Sequence, residues 1–377
     1  MKTVCYYFIA AICLSVLGPS QVQADGKYMT VREFNEIHPE QAGLAERFTS
    51  RVQEKGHPID PETQKQGAVR IAFIYPGKQV SDYWRRSIKS FRKRMDEIGM
   101  RYELSEYFSK PAVDYRMQEK QMKTALKKNP DYLVFTLDAR KHRRVIERII
   151  TKGRPKLILQ NITTPLRAWE GKQPFLYDGF DHATGSEILA DHYLRLLGKE
   201  GSPEPVRGSY AVLYHSQGYV SAMRGDTFIG YMKEHSGLTL AASYYTDNNR
   251  KKSEQATLEI LRENPDIKFI YACSTDIALG AIDALRSAGK IGKIMVNGWG
   301  GGATELEAIT KGEMDVTVMR MNDDNGVAMA EAIRLDIEGE AKQVPTVFSG
   351  DFALVKKGSS QDEINKLKLR AFRYSGE

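Results

Sequence analysis

VRIAFIYPGKQVSDYWRRSIKSFRKRMDEI, residues 69–98, holds one complete strand-to-helix unit and sets the pattern for most of the chain. Val69–Tyr75 is a nearly unbroken run of aliphatic, β-branched and aromatic residues, as expected of a strand covered on both faces. Pro76-Gly77 interrupts the run. Trp84, Ile88, Phe91, Met95 and Ile98 then recur at intervals of four and three, which places them on one face of a helix. Further apolar, β-rich runs follow at Tyr132–Leu137, Leu157–Leu159, Phe175–Tyr177, Tyr210–Tyr214, Leu238–Tyr245, Phe269–Ala272, Ile294–Val296 and Val316–Met319. Stretches of helical spacing lie between them, as at Ile277, Leu279, Ile282 and Leu285. Strand–helix alternation of this kind predicts an α/β protein with parallel sheets and helices on both faces. So many units exceed one sheet, and the series divides near Gly179-Phe180-Asp181, which gives two doubly wound parallel-sheet lobes.

Outward from this core, the first residues have the layout of a secretory signal peptide. Lys2 precedes an apolar run from Val4 to Leu17, then come Gly18-Pro19 and Val22-Gln23-Ala24. Residues 1–24 are expected to be removed by cleavage after Ala24, leaving an exported, periplasmic protein. No later segment offers about 18 uninterrupted apolar residues. Cys5 and Cys13 fall in the discarded leader, and Ile12 before Cys13 does not fit a lipidated cut site. Cys273 remains alone, so no internal disulfide is available and a buried, small apolar role is expected. Residues 25–67 are polar, without sustained apolar period, and read as an arm packed on the outside.

The chain has 377 residues, 41% hydrophobic and 27% charged, the balance of a globular protein. Its net charge of +7, from 55 basic and 48 acidic side chains, reads as dilute. Arg85, Arg86, Lys89, Arg92, Lys93 and Arg94 cluster, but Asp96 and Glu97 follow at once. A solvated helix face accounts for them better than a nucleic-acid site. A transcriptional repressor with the same lobes would need a helix-turn-helix where this chain has its leader.

Open parallel sheets bind ligands beyond the carboxyl ends of their strands. Gln79, Ser81 and Trp84 follow the first strand, and Gln160 and Asn161 follow Leu157–Leu159. His215-Ser216-Gln217 and Arg224 follow Tyr210–Tyr214, while Phe269–Ala272 ends in Ser274-Thr275-Asp276. Ile294–Val296 ends in Asn297-Gly298-Trp299, and Val316–Met319 in Arg320 and Asn322. Amides, hydroxyls, one carboxylate, two guanidiniums and two indoles suit a small ligand dense in oxygen. The plainer role for the Ser, Thr, Asn and Asp residues is to cap the helices that follow. Tryptophans do not cap, so Trp84 and Trp299 speak for a ligand.

Catalytic patterns are weak. Gly298-Trp299-Gly300-Gly301-Gly302-Ala303 matches a dinucleotide fingerprint, but late in the chain and with a tryptophan where the pyrophosphate would approach. A glycine turn that lets backbone approach a ligand fits better. His38, His57, His142, His182, His192, His215 and His235 show no metal spacing, and neither a nucleophile elbow nor a phosphate loop is present. Asn322-Asp323-Asp324-Asn325-Gly326 lacks the downstream glutamate of a calcium loop and reads as a helix start capped by Asp324 or Asn325. Asn161-Ile162-Thr163 fits a glycosylation sequon, yet Asn161 falls among the candidate site residues. Neither enzyme activity nor a cofactor nor a metal is expected.

YPGKQVSDYW (75–84), LILQNITTP (157–165), RGDTF (224–228), FIYACSTDIAL (269–279), VNGWGGG (296–302) and TVMRMNDD (317–324) carry a resemblance. From about Val69 to Tyr374 the chain resembles the type I periplasmic binding proteins, and among them the autoinducer-2 receptors. The resemblance implies a three-stranded hinge with crossovers near Phe180, Met321 and Phe348. The lobes would then comprise 68–180 plus 321–347 and 181–320 plus 348–377. It also implies a furanosyl borate diester ligand, boron entering only with that ligand. The contacts would fall on Gln79, Ser81, Trp84, Asn161, Arg224, Ser274, Thr275, Asp276, Trp299 and Arg320. The implied partner is the periplasmic domain of a LuxQ-type sensor histidine kinase; the alternative with the same fold and compartment is a sugar-binding protein that feeds an ABC transporter. Three features depart from the pattern: the loosely matching arm, a long link at Gly198–Gly208, and Asp178 where a smaller residue is expected.

Overall fold

The computed structural model describes residues 28–64, 67–76, 81–109, 115–136, 142–162, 164–169, 171–198 and 205–376. The expected leader, Gln79 and most of the 198–208 link lie outside these residues. The strands are β1 (Val69–Pro76), β2 (Tyr102–Ser109), β3 (Tyr132–Phe135), β4 (Lys156–Gln160), β5 (Leu176–Gly179), β6 (Arg207–Tyr214), β7 (Gly237–Tyr245), β8 (Phe269–Ala272), β9 (Met295–Gly300), β10 (Val316–Arg320), β11 (Val347–Ser349) and β12 (Phe352–Lys356). They form two six-stranded sheets, ordered β11-β5-β4-β3-β1-β2 and β12-β10-β9-β8-β6-β7. Every pairing is parallel except that of β12 with β10, so the second sheet departs from the all-parallel expectation at one edge.

The chain passes between the sheets after β5, after β10 and after β11. Phe348 pairs with Asp178 in the first sheet. The expected division at 347/348 therefore moves to 350–351, because the backbone of Val347–Ser349 is bonded along β5. The final residues also depart from expectation. Beyond the second lobe's helix Gln361–Ala371 the chain returns to the first lobe. There the amides of Tyr374 and Ser375 donate to Asp323 at 2.7 and 2.6 Å. Arg373 pairs with Asp324 and also donates to the Val52 carbonyl at 2.7 Å.

The helix Tyr83–Glu97 buries Trp84, Ile88, Phe91 and Met95, the residues whose spacing predicts it. Full burial of each such side chain contributes roughly 1.5–3 kcal/mol. It packs against the helix Asp323–Ile337, where Gly326 allows close approach. Arg94, expected on a solvated face, is fully buried instead. Its Nε donates to Glu331 at 2.7 Å, and its Nη atoms reach the Glu54 and Arg51 carbonyls. Asp324 and Asn325 are not caps: they lie inside the first turn, after Asn322, whose side chain makes no capping bond.

The arm holds two helices, Val31–Ile37 and Pro39–Gln53. Thr30 and Glu33 form a capping box at the start of the first, exchanging bonds of 3.0 and 2.7 Å. Phe34, Phe48 and Val52 enter the first lobe's core, so this segment is part of the fold's interior and not only an outer wrapping.

Asp178 is fully buried, and neither carboxylate oxygen has a hydrogen-bond partner. Burial, reinforced by the nearby Asp324 charge, pushes its carboxyl well above the usual range. An acid whose folded pKa is raised contributes its full stability below the unfolded value, near 3.9, and loses it as pH rises toward the folded value. Asp178→Asn removes that titration. It is expected to stabilise the protein at about pH 8 by roughly 1–3 kcal/mol and to flatten the dependence on pH. Urea unfolding of both proteins at acidic and mildly alkaline pH measures this, and parallel pH slopes would refute it.

Candidate functional site

A cleft of about 620 Å³, counting its open mouth, lies where the carboxyl ends of the two sheets face each other. Ser81, Trp84, Asn161, Arg224, Ser274, Thr275, Asp276, Trp299 and Arg320 all line it. Ser81 and Trp84 follow β1 and Asn161 follows β4, so these come from the first lobe. Arg224 follows β6, Ser274–Asp276 follow β8, and Trp299 and Arg320 end β9 and β10, so these come from the second.

Local structure explains how the pieces are held. Arg224 sits in a π-helical turn, Ala222–Asp226, within the helical run 219–235. Gly225 permits this turn to lie on Tyr214, since a Cβ there would fall 2.0 Å from the tyrosine ring. Asn161 has φ of +66°, a strained value for a non-glycine residue. Its amide is bonded to the Asp178 carbonyl at 2.8 Å, which fixes that backbone. Ser274 occupies the cap position of the helix Thr275–Ser287 but makes no capping bond; its hydroxyl goes to Asn248 instead. The plain capping role is thereby excluded for Ser274.

The glycine turn after β9 has a packing role within the fold. Gly301 has φ of +67°, and a Cβ there would fall 2.4 Å from the Met319 Cα. At Gly300 a Cβ would fall 2.7 Å from an Arg320 Nη. Both glycines make room for β10 and its arginine. Glu305 ties the turn down, accepting from the amides of Trp299 at 3.0 Å and Gly301 at 2.8 Å.

Two guanidiniums meet in the cleft. Arg224 is stacked 3.5 Å over the Trp299 ring, and Arg320 lies 4.2 Å over the Tyr83 ring. Trp299 is only 1% exposed, so its plane serves first as a plate for the cation, not as an open platform for a sugar ring. Arg224 also donates to the Cys273 carbonyl at 2.7 Å and to His182 Nδ1 at 3.3 Å. His182 Nε2 lies 3.1 Å from the Asn161 carbonyl, so the neutral ring donates there and accepts from Arg224. Burial and the Arg224 charge hold this imidazole well below its ordinary value.

Neither arginine has a salt bridge with a carboxylate among the described residues, and Arg320 Nε is buried without a partner. Burial, and the repulsion of Arg320, push the Arg224 guanidinium down to about 9; burial lowers Arg320 as well. Asp276 is the single carboxylate lining the cleft among the described residues, and Asn248 donates to it at 3.3 Å. Among the described residues the lining therefore carries two guanidiniums against one carboxylate. Asn161 Oδ1 is also buried and unpartnered.

The periplasmic binding protein domain matches residues 71–341. The chain belongs to that family. Among curated relatives of this periplasmic binding protein, the D-allose-binding periplasmic protein of Escherichia coli (strain K12) is 30% identical over 174 residues, 46% of this chain and 52% of that protein. The ribose import binding protein RbsB of the same strain is 26% identical over 181 residues, 47% and 56% of the two chains. The chain thus spans about half the length of the curated relatives it matches. Among solved structures, an ABC transporter periplasmic solute binding protein from Actinobacillus succinogenes 130z with bound D-allose superposes with a TM-score of 0.67. It is 20% identical and covers 78% of this chain and 99% of its own. A solute binding protein from Agrobacterium vitis bound with α-D-tagatopyranose gives 0.68 at 18% identity, covering 79% and 98%. At these identities the likeness shows the fold: two lobes of parallel sheet around a cleft.

The cleft of this periplasmic binding protein contains more than the sequence identifies. Tyr83, Thr136, Asn248, Pro76 and Val220 also line it, as does His215, noted above as a strand-end residue. Thr136 directly follows β3 and Asn248 lies just beyond β7, so the strand-end rule could have found both. His182 and Tyr83 act behind the arginines, and no spacing marks them. Cys273 is buried, as expected of an inert thiol, and burial pushes it up to about 12. Among the described residues no cluster of His, Cys, Asp and Glu could hold a metal, and no helix is long and apolar enough to cross a membrane.

Proposed function

We propose that this chain is a periplasmic receptor that closes its two lobes on a compact, oxygen-rich ring carrying one negative charge, and releases it unchanged. The furanosyl borate diester form of autoinducer-2 is the ligand that the sequence resemblance assigns, making the chain a receptor of the LuxP type. The supporting observation is the pair of buried guanidiniums without carboxylate partners among the described residues. A tetrahedral borate diester brings one negative charge spread over oxygens, and each charge-assisted bond to it contributes roughly 1.5–3 kcal/mol. The rigid fork of arginine suits such an oxygen pair better than lysine. A neutral sugar leaves the positive charge uncompensated, which selects against it.

Closure follows from the division of the lining between lobes. A closed form makes contacts that an open one lacks, so ligand shifts the population toward closed by its differential affinity. In this reading the closed receptor alters the output of a LuxQ-type sensor kinase through that kinase's periplasmic domain.

A second reading is favoured by the comparisons, whose curated members include allose, ribose and apiose binding proteins. In it the chain carries a sugar to an ABC transporter. Isothermal titration with the borate diester, D-ribose, D-allose and D-galactose separates the two. Tight binding of the diester with sugars at least a hundredfold weaker is expected. Tight sugar binding would replace the first reading by the second. Mass spectrometry and boron analysis of what the denatured protein releases identify the ligand, and an altered ligand would overturn the claim that no reaction occurs.

A further inference from the structure

The basic excess that looks dilute along the chain is concentrated in one place. Residues 69–180 hold 25 Lys and Arg against 12 Asp and Glu, whereas the rest of the chain holds 30 against 36. Within that segment, residues 115–156 hold 13 basic against 4 acidic side chains. Two helices span most of it, Tyr115–Lys127 and Arg143–Lys152. Their apolar sides, Met122 and Ala125 on one and Ile146, Ile149 and Ile150 on the other, pack into the same core cluster against the same face of the first sheet. The two helices therefore cover the same face of the sheet, the first over β1 and β2 and the second over β4, with their polar sides outward.

On that outer side each helix bears a basic stripe. Lys120, Lys123 and Lys127 are spaced by three and four; Arg144, Arg148 and Lys152 are each spaced by four. All six are exposed, and none makes a salt bridge among the described residues. Of the acids nearby, Glu147 is taken up by Arg143 at 2.7 Å and by the Trp169 indole at 3.0 Å, and Glu119 is half-buried.

We infer that this face of the first lobe docks on an anionic phospholipid surface. The stripes are long, flexible point charges spread over two helices, without a central apolar or aromatic cluster, among the described residues, of the kind that protein interfaces bury. They lack the interleaved aromatic rings on which nucleic-acid bases stack. A fluid sheet of phosphate headgroups asks only for clustered positive charge within a Debye length. No large apolar wedge accompanies the stripes beyond Met117, so the contact is reversible and salt-sensitive. Such docking holds the receptor beside a membrane partner under either ligand reading, so it stands or falls separately from them.

Co-sedimentation of the purified chain with vesicles tests this, comparing phosphatidylglycerol–phosphatidylcholine mixtures with phosphatidylcholine alone at low and high salt. Binding confined to the anionic vesicles at low salt is expected. The combined variant Lys120→Glu, Lys123→Glu, Arg144→Glu and Arg148→Glu should lose it by tenfold or more while keeping its thermal midpoint. The second-lobe variant Lys233→Glu, Lys251→Glu, Lys293→Glu and Lys366→Glu, with the same change in net charge, should stay within twofold of the parent. Equal loss in both variants would show net charge alone at work and overturn the assignment. So would binding that ignores phosphatidylglycerol, or tighter binding to a DNA duplex or an acidic protein than to vesicles at the same salt.

Discussion

Arg320→Ala is expected to weaken binding of the borate diester by tenfold or more, at least about 1.4 kcal/mol, while the ligand-free protein melts within a few degrees of the parent. The separation of the two effects comes from how Arg320 is held. Its guanidinium rests on the Tyr83 ring and makes no salt bridge among the described residues. Removing it leaves no protein group newly unpaired, and it removes a buried charge that has no carboxylate partner. Arg224→Ala should weaken binding at least as much and also cost stability. It leaves the Cys273 carbonyl and His182 Nδ1 without their donor, a loss of about 1–3 kcal/mol. Arg320→Lys keeps the charge and loses the fork, so an intermediate affinity is expected. Titration calorimetry with parallel thermal melts measures all three. Unchanged affinity in both alanine variants would remove the anion clamp from the mechanism.

Gly326→Ala is expected to destabilise the first lobe by about 2–3 kcal/mol, with Gly326→Val worse. A Cβ at this position would fall 2.3 Å from the Ser87 carbonyl oxygen and 2.5 Å from the Phe91 amide nitrogen. Those are backbone atoms of the facing helix and cannot rotate away, so the helices must part. Alanine's better helix propensity recovers at most about 1 kcal/mol. Parting them also strains the buried Arg94–Glu331 pair. Denaturant unfolding gives the number, and wild-type stability in Gly326→Ala would mean that the two helices are not held at this spacing.

Gly326 also illustrates what was legible in the sequence. The helix that starts there was readable, but the reason for the glycine was not, because close approach of two helices leaves no periodic trace. The buried strands were plain, since β1, β3, β4 and β8 are runs of apolar residues. β2 was invisible: Glu103, Ser105 and Glu106 interrupt its apolar residues, as befits a half-exposed edge strand. β11 has only three residues, and β12 is an edge strand whose residues are mostly half-buried. In the arm, two helices place just Phe34, Phe48 and Val52 in the interior, too few for a period to emerge. At the site, the strand-end rule brought ten residues of one cleft together, because topology decides where loops converge. It was blind to Tyr83 and His182, which hold the arginines from behind, and it could not foresee that Trp299 would be covered by a guanidinium. Ligand identity came from resemblance, whereas the geometry speaks only to charge and size.

The fastening of the last residues to the first lobe bears on how the two lobes move. Three passages of chain join the lobes at the hinge, and the C-terminal segment adds a fourth, anchored through Asp323, Asp324 and Val52. It behaves as a leash: the lobes can swing apart only as far as its slack allows, unless Arg373 and Tyr374 first let go. A cleft restrained in this way gapes less and spends less ordering entropy on shutting, so the leash length tunes both the reach of opening and the tightness of capture.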